Sequence, residues 1–93
     1  MGAADLGDIR ALVDQVRAVV SQLDLDDEDA AAAEADLTTA NAQLDSPRPK
    51  GSIIKAALAS AHRILERGVS DAVVPEVADQ VKRLGDLIDH IPL

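Results

Sequence analysis

The sequence predicts an all-α fold, an antiparallel up-down-up-down four-helix bundle, and three observations carry that expectation. Along the 93-residue chain, apolar residues recur at alternating spacings of three and four in four segments, the period of a helix face rather than a strand. Three polar or Pro/Gly-containing breaks, near residues 24–28, 46–51 and 68–74, separate those segments. The segments have similar lengths and the connections are short, so consecutive helices fold back on one another as neighbours.

The first helix is expected over about residues 5–23. Carboxylates between Asp5 and Asp8 suit its N-terminus, where free N–H groups and the helix dipole favour negative charge. Leu6, Ile9, Val13, Val16, Val20 and Leu23 form its stripe, with Leu12 and Val19 widening it. Arg10 and Arg17 stand four and three residues from Asp14, which predicts a self-neutralising, solvated outer face. Asp24-Leu25-Asp26-Asp27-Glu28-Asp29 then brings five acids into six residues, as suits a connection and the first turn of a second helix. It does not match a calcium-binding EF-hand loop, which requires Gly at its sixth place and Glu at its twelfth. Counted from Asp24, those places hold Asp29 and Ala35.

The second helix is expected over 27–45, with Ala30, Ala33, Leu37, Ala40 and Leu44 as its stripe. Ala31, Ala35 and Ala42, with Thr38 between them, form a second line of small residues, predicting close neighbours on two sides. Alanine favours the helix but removes little area from water, so this element depends most on what it packs against. Ser46-Pro47-Arg48-Pro49-Lys50-Gly51 is a hard break, because neither proline fits a helix interior and each pushes the preceding residue towards extended backbone. The third helix, 51–67, is expected to be capped by Ser46 or Ser52, to carry Ile53, Ile54, Ala57, Leu58, Ala61, Ile64 and Leu65 as its stripe, and to stop at Gly68. The fourth is expected over about 71–91 on Val77, Val81, Leu84, Ile88 and Ile91, with Pro75 in its first turn and Pro92 ending it. Residues 70–74 are then either loop or initial turn.

Composition narrows the function classes. Without Phe, Tyr, Trp or Cys, the core has to be aliphatic and rich in alanine, and neither disulfides nor thiolate zinc sites are available. The first 45 residues carry 11 acids against 2 bases and the remainder 6 against 7, giving a net charge of −8 overall. That balance disfavours nucleic-acid phosphates and anionic membranes and favours basic partners. The N-terminus has neither a signal-peptide pattern nor a myristoylation signal, and no window approaches a membrane span, so a cytoplasmic location is expected.

Candidate chemistry is sparse. Arg48, Lys50, Gly51 and Lys55 place cations beside a helix N-terminus, an arrangement able to receive an anion, although a capped turn with solvated cations is the plainer reading. His62 with Glu66, and Asp86 with His90, are spaced i, i+4 and could each offer two ligands to a metal; two ligands without a third are a weak signal. Ser60 and His62, at i and i+2, face different directions and form no nucleophilic dyad. No metal site, cofactor or catalytic residue is therefore expected, and the chain reads as a non-enzyme.

Ala42-Gln43-Leu44-Asp45-Ser46-Pro47-Arg48-Pro49-Lys50, then Ile53-Ile54-Lys55-Ala56-Ala57-Leu58 and Ile64-Leu65-Glu66-Arg67-Gly68-Val69, resembles a helical module of uncharacterised actinobacterial proteins. The resemblance covers about residues 34–70 and implies a helix, a Ser-Pro-Arg-Pro break and a helix ending in Leu-Glu-Gly, appended to other domains. Here Arg67 intervenes before Gly68, and no activity comes with the likeness.

The reading is a small helical protein-interaction or oligomerisation module, partnered by a second copy (a homodimer) or by another protein's helix. Leu12, Val19, Ile53 and Leu87, at the flanks of the stripes, are its expected contacts. The alternatives are anion or nucleic-acid binding through the basic 48–67 segment, and metal binding through His62 and His90.

Overall fold

A computed structural model describes residues 6–91. Four α-helices follow one another: α1 (Leu6–Val19), α2 (Asp27–Asp45), α3 (Gly51–Arg67) and α4 (Pro75–Ile88), and no strand occurs among the described residues. α1 lies beside α2 and α4, and α3 beside α2 and α4, so consecutive helices are neighbours and the ring closes between first and last. The start of α1 meets the end of α2 where Arg10 bonds Asp45, and the start of α2 meets the end of α3 where Asp29 lies 3.8 Å from Arg67. Those pairs fix α1–α2 and α2–α3 as antiparallel.

The core is the aliphatic set that the spacing marked. Ile9, Val13, Val16 and Val20 enter it from the first segment, Leu37 from α2, Ile54, Leu58 and Leu65 from α3, and Val77, Val81, Leu84 and Ile88 from α4. No charged or polar residue is buried among those described. α2 and α3 form the most extensive helix pair, because Ala33 and Ala40 on one and Ala57 and Ala61 on the other leave no bulk between the backbones.

Several local expectations need correction. The first helix does not run as α-helix to residue 23; its last turn tightens into a 3₁₀ turn at Val20–Gln22, which still buries Val20. Its expected start at Asp5 and the role of Pro92 lie outside the described residues. Arg10 and Asp14 do not neutralise each other on an outer face but reach α2, Arg10 to Asp45 and Asp14 to the Asn41 side-chain amide, which donates at 3.2 Å. The second line of alanines meets no neighbour: Ala31, Ala35 and Ala42 are exposed, since α1 and α3 both occupy the face of Ala33, Leu37 and Ala40.

The ends follow the capping chemistry only in part. Asp26 caps α2, its carboxylate accepting from the Asp29 N–H at 2.7 Å, with Asp27, Glu28 and Asp29 in the first turn. Neither serine caps α3; its N-cap is Lys50, whose N–H donates to the Gln43 side chain at 3.3 Å, while Ser46 Oγ accepts from the Arg48 N–H within the turn. The fourth helix starts at Pro75, not residue 71, and ends at Ile88, not 91. Pro75 suits the first helical position and holds Val74 in extended backbone, while Ile91 is buried from beyond the helix end. Gly68 ends α3 without a positive φ. Its lack of a side chain serves a close approach instead: a Cβ there would lie 2.6 Å from Leu25 Cγ, and its carbonyl accepts from the Asp24 N–H at 2.8 Å.

Candidate functional site

The candidate site is a groove of about 760 Å³ between α3 and α4. Its α3 wall carries Ala59, His62, Arg63 and Glu66, and its α4 wall Ala78, Lys82, Gly85 and Asp86; Asp89 just past the end of α4, Val69 of the connection and the core residues Val81 and Ile88 line it as well. Small residues on both walls keep the trough open. The inward faces of the two helices are committed to the core through Leu58, Ala61 and Leu65 on one side and Val81, Leu84 and Ile88 on the other.

His62 determines how the walls meet. A Cβ at Gly85 would lie 2.6 Å from His62 Nε2 and 2.8 Å from Cε1, so the imidazole occupies the space that any larger residue at 85 would need. Glycine in a helix interior costs about 1 kcal/mol relative to alanine, and accommodating that ring accounts for its place here. The ring is oriented from its own helix, Nδ1 donating to Glu66 Oε1 at 2.9 Å, and its side chain is 21% exposed. Joined by the short connection of residues 68–74 and packed side by side, α3 and α4 run antiparallel, and the approach of His62 to Gly85 sets the register of the groove.

That register gives the rim its electrostatic pattern. Glu66 is level with Val81 and so next to Lys82; Arg63 is level with Leu84, two residues or about 3 Å along the axis from Asp86. Acid thus faces base twice across the groove, yet neither pair closes to 4 Å. Arg63, Lys82, Asp86 and Asp89 form no ion pair among the described residues, although Arg83 and Asp79, on α4 away from the groove, do so at 2.9 Å.

The other sequence candidates are scattered. Arg48, Lys50 and Gly51 lie in or just after the α2–α3 turn and Lys55 one turn into α3, without a buried polar group converging on them. His90 donates through Nδ1 to the Asp86 carbonyl at 2.8 Å, as a residue closing the end of its own helix does. His62 instead pairs with Glu66, and no cluster of three or more metal-ligating side chains occurs among the described residues. Leu12, Val19 and Leu87 are half-buried against this chain's own core, and Ile53 is half-buried. Gly85, Lys82, Asp89 and Val69 were not singled out by periodicity; the available signal was Gly85, an interior glycine in an otherwise regular stripe.

Compared with known proteins, the chain matches no family model, no curated protein and no solved structure. Among the described residues, no helix is long and apolar enough to cross a membrane.

Proposed function

We propose that the chain is a helical protein-interaction or oligomerisation module without catalytic activity, and that the α3–α4 groove is its contact surface. The observation that carries this reading is the groove's unfinished rim. Two acid–base pairs face each other too far apart to bond, above small residues that leave room for another chain. The apolar groups left outside the core add to it, because Val69 at the groove end and Val74 just before α4 are among the large hydrophobics most open to water. A cytoplasmic location, and the attachment to other domains that the resemblance implies, belong to the same proposal.

The test is sedimentation equilibrium from micromolar to millimolar concentration, together with capture of soluble proteins from the source cell on the immobilised chain. Val69→Arg serves as the groove variant, being exposed and outside a helix. Self-association or capture that Val69→Arg abolishes, with helicity unchanged, supports the module. A chain that stays monomeric and captures nothing by way of the groove contradicts it.

A further inference from the structure

We infer that the α3–α4 groove is a two-fold seam between copies of this chain, in which α3 of one copy lies over α4 of the other. The inference rests on the interaction-module reading and names its partner. A two-fold axis running along the groove keeps every level and exchanges the two sides. Glu66, one residue off the level of Lys82 in its own chain and too far away to bond, then lies over the same stretch of α4 in the second copy and within reach of its Lys82; Arg63 comes within two residues, or about 3 Å along the axis, of Asp86 of the second copy. Symmetry repeats both contacts, so two pairs left open in the single chain become four closed ones.

The arrangement is sterically and topologically consistent. Ala59, Ala78 and Gly85 allow helices to approach closely, and α3, α4 and their symmetry mates make a second bundle in which every neighbour is antiparallel. Glu66 spends one oxygen on His62, and a carboxylate retains further lone pairs for Lys82 of the second copy. Val69 of one copy comes level with Ala78 of the other, covering an exposed valine. Two-fold dimers are also the commonest closed assembly, each patch serving both copies.

The test exploits the sign pattern. Glu66→Lys alone sets cation over cation in the seam, and Lys82→Glu alone sets acid over acid. Each exchanges attraction for repulsion at two exposed places, so each weakens self-association about tenfold. An equimolar mixture of the two variants restores complementary charges at both places and recovers the wild-type association constant to within about threefold. The double variant Glu66→Lys/Lys82→Glu recovers it as well. Both positions are exposed, and circular dichroism verifies that the helices persist in all three variants.

A mixture that associates no better than either variant alone overturns the seam, as does wild-type association insensitive to both changes. A further arm needs no substitution: in a mixture of labelled and unlabelled wild-type chains, isotope-filtered NMR gives contacts between Val69 of one copy and Ala78 of the other. Self-association without those contacts overturns the seam while leaving the module standing. A chain monomeric at millimolar concentration that still captures a protein through the groove does the same. Absence of any association removes both.

Discussion

Replacing Gly85 by alanine sets two effects of opposite sign against each other, and their sizes follow from the groove. In the middle of a helix the change is worth about 0.8–1 kcal/mol in favour of folding. The new Cβ would lie 2.6 Å from His62 Nε2, so the ring has to swing outward, which the open side of the groove permits. Swinging it breaks the 2.9 Å bond to Glu66, an exposed i, i+4 contact worth about 0.3–0.5 kcal/mol. It also returns some 20–40 Å² of ring and methylene surface to water, about 0.5–1 kcal/mol. Gly85→Ala alone should therefore leave stability within about 0.5 kcal/mol of the parent. In a His62→Ala background nothing obstructs the methyl group, and the same change should yield the full gain of about 1 kcal/mol. The coupling, close to 1 kcal/mol, is read from a double-mutant cycle of urea unfolding followed by circular dichroism, at protein concentrations below self-association. Equal stabilisation in both backgrounds would refute the account of why glycine occupies position 85.

Other substitutions probe the rest of the framework. Leu37→Ala removes the largest fully buried side chain of α2 between Ala33 and Ala40, which are too small to fill the space. It should cost about 3–5 kcal/mol of a total near 5–14, measured by chemical unfolding. Gly68→Ala forces a Cβ against Leu25 and the buried Leu23 and should destabilise by about 1–3 kcal/mol, although alanine is ordinarily the better helix former; a stabilised variant would mean that this approach is looser than described. Asp26→Ala removes the α2 cap and should lower stability by about 1 kcal/mol, with hydrogen exchange at the Asp29 amide accelerated. Arg48→Ala with Lys50→Ala should change the unfolding midpoint little, by less than about 1 kcal/mol, since both side chains are exposed.

The stripes were legible because a helix that buries one face must repeat its apolar residues near 3.6, and the set from Ile9 to Ile88 did so with few interruptions. Pro75 and Gly68 were legible as boundaries for related reasons, a fixed φ and a missing side chain, and at Gly68 the missing side chain leaves room for Leu25. What spacing could not show was which small residues face inward. Ala33 and Ala31 have the same side chain, and only the positions of α1 and α3 decide that the first is buried and the second exposed. The partners of Arg10 and Asp14 were hidden likewise, because the nearest opposite charge in sequence competes with groups brought up by the fold. His62 and Glu66 were visible as a pair, whereas the groove needed the tertiary approach of Gly85, a contact between residues far apart in sequence.

The central claim is that the α3–α4 groove, rather than any other face, meets another chain. Amide chemical shifts of the wild-type protein, followed from micromolar to millimolar concentration, test it most directly for a second copy. The account predicts concentration-dependent shifts confined to the groove walls, at Ala59, Arg63, Val69, Ala78, Lys82 and Gly85, with the outer alanines of α2 unmoved. Shifts centred instead on Ala31, Ala35 and Ala42 would contradict it, and spectra unchanged over the whole range would contradict it for a second copy.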